Sequence, residues 1–233
     1  LTEDGRLVGI EPAVPCGHCR LCREGSPNLC RAQRHLADGT TDGVLSERFA
    51  WPMEYVMPVP ASIDPITGTM IEPLAAALHP VDLGKLRAGM RVGVFGCGTM
   101  GLLMVQLARA MGAVQVIATE KLPHRLDAAR ELGATDVLPA TGDEGAEAFA
   151  RAGDEGLDVA FEAAGDTSAI QQAIRATRWG GTLVIVGIIP EKELTFTFSE
   201  ARKKGMTIKF SMRSRNTYGR AMRLVEQGII DVR

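Results

Sequence analysis

The stretch Val94-Phe95-Gly96-Cys97-Gly98-Thr99-Met100-Gly101 constrains this chain more than any other. An apolar run, Arg91-Val92-Gly93-Val94-Phe95, leads into it, and a helix-period segment from Thr99 to Met111 leaves it, stopped by Gly112. Three glycines with the spacing G-x-G-x-x-G between a strand and a helix have separate duties. The first permits a tight turn, the second lets backbone approach a bound group, and the third lets the helix pack closely on the strand. The free N–H groups that open the helix, around Thr99 and Met100, would then face an anion such as a diphosphate.

The same strand-then-helix rhythm continues to the end of the chain. Val114 to Thr119 reads as a second strand, followed by a helix opened by Pro123 and closed by Gly133. Thr135 to Leu138 reads as a third strand, Asp143 to Ala152 as a short acidic helix, and Asp158 to Phe161 as a fourth strand. A helix capped by Thr167 and ended by Gly180-Gly181 precedes a fifth strand at Thr182 to Val186. A short helix near Glu200 leads to a sixth at Met206 to Phe210. Strands from the fourth onward are near-continuously apolar, as expected when both sheet faces are covered. Six strands with helical crossovers predict an α/β, doubly wound parallel sheet of the Rossmann type over residues 74–233. Residues 1–73 are rich in Gly, Pro and turn residues, with short segments such as Glu47 to Ala50 and Tyr55 to Val59, and predict a small all-β region.

Glu120 closes the second strand, 19 residues after Gly101, where a dinucleotide fold places a carboxylate that accepts from the adenosine ribose. Its negative charge would repel a 2′-phosphate, which favours NAD over NADP, although Lys121 and Arg125 lie close by in sequence. Cys97 reads as a small residue in a tight loop. The net charge of −2 lacks the basic excess of a nucleic-acid-binding surface, and no apolar run reaches the ~20 residues needed to span a bilayer.

Four of the five cysteines, Cys16, Cys19, Cys22 and Cys30, fall in the pattern C-x2-C-x2-C-x7-C. Four thiolates so spaced can close a tetrahedron around Zn²⁺ with no open position, which describes a structural site. An iron–sulfur cluster of the ferredoxin kind needs a closer fourth cysteine followed by Pro, whereas Arg31 follows Cys30. Disulfide pairing fits poorly, because C-x2-C pairs bridge mainly in redox proteins. His18 and His35 read as solvated loop residues.

Taken with Ile71-Glu72-Pro73-Leu74-Ala75-Ala76-Ala77-Leu78-His79, the cysteine knuckle and the glycine loop make a chain that resembles the zinc-containing medium-chain dehydrogenases/reductases. The branch it looks most like holds the sorbitol, threonine and polyol dehydrogenases. The resemblance runs from Cys16 to Val232. It implies that residues 1–73 are part of a GroES-like all-β catalytic domain carrying a structural zinc lobe, and that a second, catalytic zinc sits in a cleft. Glu72 matches a Glu-Pro motif of the polyol branch. It is implied as a catalytic residue, either a direct metal ligand or a proton relay, while read by itself it is a glutamate favoured by a helix N-terminus. His79 would line the cleft or pack within its helix. Val186, Gly187 and Ile188, with Ser211 and Met212, match contacts to the nicotinamide half of the cofactor, and Glu120 and Arg125 match the adenosine-ribose contacts.

The resemblance further implies hydride transfer between a secondary alcohol or polyol and NAD, giving a ketone, in a cytoplasmic homodimer or homotetramer. The family's first zinc cysteine and its Gly-His-Glu segment would lie upstream of Leu1, and its last strands beyond Arg233, so the chain reads as an internal piece of a longer polypeptide. Two rival readings are an NAD-binding protein without catalysis, sensing or structural, and a zinc-free quinone reductase-like enzyme.

Overall fold

The computed structural model describes residues 2, 4–153, 155–190 and 192–233. The chain divides into two compact units, residues 1–76 with 212–233, and residues 77–211.

The first unit opens with β1 (Val8–Ile10), β2 (Ala13–Val14), the single turn α1 (Arg20–Arg23), β3 (Arg34–His35), β4 (Val56–Pro58) and α2 (Pro65–Gly68). β1 pairs antiparallel with β4, Val8 opposite Pro58, and β2 pairs antiparallel with β3, Ala13 opposite His35. Glu47 to Ala50, expected to be extended and β-like, forms no strand. This stretch has no partner strand among the described residues, and an unpaired strand leaves its backbone groups unsatisfied. Asp64 caps α2, accepting from the N–H of Ile66 at 2.9 Å and of Thr67 at 3.1 Å. Helix α3 (Ile71–Gly84) follows.

The second unit contains a six-stranded parallel sheet. Its elements are β5 (Arg91–Phe95), α4 (Thr99–Ala110), β6 (Gln115–Glu120), α5 (Pro123–Glu131), β7 (Asp136–Pro139), α6 (Glu144–Arg151), β8 (Leu157–Glu162), α7 (Thr167–Ala176), β9 (Thr177–Ile185), α8 (Phe198–Lys203) and β10 (Thr207–Phe210). The strand order is β10-β9-β8-β5-β6-β7, with every pairing parallel. The chain moves outward from β5 to β7 and then returns to β8 on the other side of β5. That reversal opens a crevice beyond the carboxyl ends of β5 and β8. Val92, Val94 and Phe95 are fully buried in the central strand. Phe95, Ile117, Leu138, Leu157, Ile170, Ile174 and Leu183 form one cluster of the core. This is the doubly wound α/β sheet that the alternating pattern predicts.

Several local expectations are corrected. Asp166, not Thr167, caps α7, accepting from the Ser168 N–H at 2.7 Å, because the residue in extended conformation before the helix is the one whose side chain can reach back. The helix also stops at Ala176, before Gly180-Gly181. Buried Lys204 donates to the carbonyls of Ile174, Arg175 and Thr177 at 2.8–3.0 Å and so satisfies the groups that end the helix. β9 therefore starts at Thr177 and carries a bulge, with Thr177 opposite Leu157 and Thr182 opposite Val159. β10 is an edge strand rather than a doubly covered one, with Phe210 68% exposed.

Residues 212–233, which the sequence pattern assigns to the Rossmann domain, belong by contact to the first unit. The reason is a set of long-range bonds: Thr217 Oγ1 donates to the Ala75 carbonyl at 2.6 Å, and the Tyr218 hydroxyl to the Ile10 carbonyl at 2.9 Å. The closing helix α9 (Tyr218–Glu226) follows these anchors. Among the described residues no helix is long and apolar enough to cross a membrane.

The Asp166 cap gives a test. The Ser168 hydroxyl, foremost, and the Lys121 ammonium draw its carboxyl down to about 2. A depressed folded-state pKa stabilises the fold above the ordinary carboxylate range, and that contribution disappears as pH falls through the folded value. Asp166→Ala is expected to cost about 1 kcal/mol near neutral pH. Thermal melts should show this gap close as pH is lowered toward about 2.

Candidate functional site

The crevice is shaped by backbone meeting backbone. Gly96 has φ 101°, and a Cβ there would stand 2.6 Å from the Ala164 nitrogen, so both its conformation and its surroundings demand glycine. A Cβ on Gly101 would fall 1.9 Å from the Gly96 carbonyl oxygen, which shows how closely α4 packs on the end of β5. Gly98 differs: it has an ordinary φ of −71°, and a Cβ there would meet nothing within 4 Å. Its lack of a side chain leaves bare backbone facing a groove of about 200 Å³. Gly98 also precedes α4 without a side-chain cap, so N–H groups of the first turn are left for a ligand.

Glu120 ends β6 beside this loop. Its Oε2 accepts from the Cys97 N–H at 2.9 Å, and its Oε1 from those of Lys121 at 2.8 Å and Leu122 at 3.2 Å. Arg125 lies 3.8 Å away. Burial pushes the Glu120 carboxyl up, but the three N–H groups and Arg125 outweigh it and hold the pKa below its ordinary value. The group is therefore ionised near neutral pH and can only accept, which suits sugar hydroxyls as donors. Lys121 turns to Asp166, Nζ to Oδ2 3.1 Å. Cys97 is fully buried and its thiol is pushed up to about 12 by burial, in keeping with a packing role.

Across β8, the loops after β8 and β9 meet. Gly187 has no room for a Cβ, which would lie 2.2 Å from the Gly165 nitrogen. Val186 and Gly187 both donate to the Glu162 carbonyl, at 2.8 and 3.1 Å, while Ile188 is almost wholly exposed. Ser211 follows β10 and donates to the Ile185 carbonyl at 2.9 Å. Met212 falls in the first unit, its carbonyl accepting from Asn28 Nδ2 at 2.9 Å. The sequence reading missed Glu162. It is completely buried, its Oε1 accepts from Ala164 and Gly165 at 2.8 and 2.6 Å, and its Oε2 has no partner. Burial raises its pKa against those bonds. The available signal was an acidic residue directly after Asp158-Val159-Ala160-Phe161.

In the first unit, Cys16, Cys19, Cys22 and Cys30 are unbridged, and their four sulfurs lie within 4.8 Å of one another. A tetrahedral Zn²⁺ with Zn–S near 2.3 Å sets its sulfurs about 3.8 Å apart. The Cys19–Cys22 and Cys19–Cys30 separations of 3.4 and 3.9 Å bracket that value, so these residues fit the ion. Without a cation the thiols compete: N–H groups of Cys19 and His18 draw Cys16 down to about 6, while desolvation and its Cys19 neighbour push Cys22 up to about 12. His18 and His35 each turn Nδ1 to a backbone carbonyl at 2.7 Å, of Cys16 and Leu36.

Glu72 is exposed in the first turn of α3 and borders a cavity of about 200 Å³ with Gly9, Ile10, Thr69 and Tyr218. Desolvation raises its pKa, with the charge of His35 opposing. Glu11, also unforeseen, accepts from Ser214 Oγ at 2.7 Å, and burial and the Glu72 charge raise its pKa. Among the described residues the four cysteines form the sole group of three or more metal-ligating side chains. Glu72 thus has no companion ligands here, and the described residues do not fit a catalytic metal. His79 is buried within α3.

Two family models match the chain: "Zinc-binding dehydrogenase" over residues 99–227 and "Alcohol dehydrogenase GroES-like domain" over residues 2–61. Sorbitol dehydrogenase of Bacillus subtilis is 33% identical over 98% of this chain and 65% of its own length. The chain thus spans about two thirds of the length of this curated relative. A solved oxidoreductase/dehydrogenase of unknown specificity from Escherichia coli superposes with a TM-score of 0.93 at 32% identity, covering 98% of this chain and 66% of its own. A putative zinc-binding dehydrogenase from Sinorhizobium meliloti, solved bound to NADP, gives 0.88 at 33% identity over 98% and 68%.

The glycines yield a contrast to measure. Gly101→Ala forces backbone apart and is expected to cost at least about 2 kcal/mol, seen as a lowered Tm. Gly98→Ala, entering open space, should leave Tm unchanged.

Proposed function

The chain belongs to the zinc-binding dehydrogenase family, and from that premise we propose that it is the cofactor-binding part of an NAD-dependent oxidoreductase converting a secondary alcohol or polyol to a ketone. The observation that carries this reading is the groove at the carboxyl edge of the sheet, lined by bare backbone at Gly98 and by an ionised carboxylate at Glu120 bonded to the neighbouring Cys97 N–H. The N–H groups of Thr99 and Met100, ahead of Gly101, hold the diphosphate, and the turn made by Gly96 aims them. Glu120 accepts from the adenosine ribose hydroxyls, with Arg125 beside it. The segment Val186, Gly187 and Ile188, with Ser211 and Met212, orients the nicotinamide. When bound, NAD supplies the hydride acceptor, and the chain contributes position and exclusion of water.

Four further assignments belong to this reading. Cys16, Cys19, Cys22 and Cys30 hold a structural zinc that ties their lobe together without chemistry of its own. Glu72 is the residue this chain brings to the catalytic centre, as a zinc ligand or a proton relay. Its raised pKa suits a group that exchanges a proton, and no metal-centred step is derived from it. Unbridged cysteines suit a cytoplasmic setting. The exposed edge strand β10 with Phe210 suits a homodimer or homotetramer. The non-catalytic and quinone reductase-like alternatives find no support among the named relatives, which are dehydrogenases.

NADP is the second cofactor reading, favoured by the NADP-bound relative and by Lys121 and Arg125 next to Glu120. NADH and NADPH fluorescence titrations separate the two. NADH should bind more tightly, by about tenfold or more, and Glu120→Ala should narrow the difference. Tighter NADPH binding would reverse the assignment. Reduction of NAD with a panel of polyols tests the reaction, and failure with every polyol removes that substrate class.

A further inference from the structure

Beyond Glu120 the groove continues to a second acidic residue, which the sequence pattern placed in a short acidic helix and nothing so far has used. Glu144 opens α6 and lines the groove, yet it is only 5% exposed. Its Oε2 accepts from the Gly142 N–H at 2.6 Å. Its Oε1 takes no hydrogen-bond partner among the described residues and is not one of the fully buried unpaired atoms, so this oxygen stays open at the groove wall.

The surroundings hold it there. Gln172, itself buried, donates through Nε2 to the Gly142 carbonyl and accepts through Oε1 from the Gly145 N–H at 3.1 Å. Gly145 lies so close that a Cβ on it would be 2.5 Å from the Gln172 carbonyl oxygen. The same loop is tied to the ribose end, since the Ala140 N–H donates to the Glu120 carbonyl at 2.9 Å. Rigid bonds therefore set the distance between the two carboxylates. Besides the polar Lys121, Arg125, Asp166 and Ser168, the groove is lined by the small side chains of Ala140, Ala164 and Ala169, which leave space for a flat ring.

A carboxylate accepts and does not donate, so the ring it selects must present a donor at its edge. An acceptor held in place and open to a groove gains a charge-assisted hydrogen bond from a ligand that presents a donor there. We propose that Glu144 is the base-reading residue of this groove, its Oε1 accepting from the exocyclic amino group of the adenine. The proposal rests on the dinucleotide reading above and adds a selectivity which that reading does not require. Closing a surface turn would also explain the bond to Gly142, but it leaves the second oxygen at the groove wall without a role.

The test compares NADH with reduced nicotinamide hypoxanthine dinucleotide, in which a carbonyl oxygen replaces the amino group. Binding of both to the whole chain is measured by fluorescence. The chain should prefer the adenine form by about tenfold or more, the scale of one hydrogen bond to a charged group. Glu144→Gln keeps an acceptor for Gly142 but offers either an oxygen or an amide to the base, and its preference should fall toward unity. Equal binding of the two dinucleotides by the unaltered chain, which needs no variant to fold, overturns the proposal and leaves the cofactor assignment standing. A preference that survives unchanged in Glu144→Gln does the same. Binding of neither dinucleotide brings down the cofactor assignment, and the base-reading role with it.

Discussion

The carboxyl edge of the parallel sheet depends on how closely main chain can approach main chain there. The Gly96 carbonyl sits where a Cβ of residue 101 would have to be, and the nitrogen of Gly165 where a Cβ of residue 187 would have to be. These contacts hold the ends of β5, β8 and β9 together with no side chain between them. The resulting loops are stiffened by carboxylates used as acceptors for backbone: Glu120 gathers three N–H groups after β5 and β6, and Glu162 gathers three after β8. The loop that leads into the uncapped start of α4 is thereby held at the crevice. Electrostatic binding of an anion is effective only when donors are fixed in advance, and here packing fixes them.

What could be read in the amino-acid order follows from the range of the interaction concerned. The glycine triplet, the strand–helix alternation and the cysteine spacing are local patterns. Gly96 and Gly101 proved to have separate geometric reasons, Gly98 faces open space, and the four sulfurs did converge. Glu120 was legible because a strand and a helix of ordinary length fix its distance from the loop. Residues whose role depends on distant partners were not legible. Glu11 is met by Ser214, Thr217 reaches Ala75 and Tyr218 reaches Ile10, so residues 212–233 return to the first unit although no local pattern says so. Lys204 ends α7 from a position 28 residues past its last residue, which made Gly180-Gly181 a misleading stop signal. Glu144 looked like one acid among several on a solvated helix, and only its burial sets it apart.

The first unit shows the opposite economy. Its strands are two or three residues long, and its four thiols converge on one point. A metal bound there would act on the fold, since four sulfurs close the coordination sphere and leave no position for a substrate. Glu72 belongs to the same unit but stands apart from any such set, which is why its role is assigned through the family and through its raised pKa rather than through a metal centre in this chain.

The central claim is that backbone N–H groups opening α4, with the Glu120 carboxylate beside them, form the dinucleotide site. Amide resonances followed by nuclear magnetic resonance during addition of NADH test it most directly. The account predicts that Gly98, Thr99, Met100 and Lys121 shift together and saturate along one binding curve. Binding of NADH that leaves these four amides unmoved would contradict it.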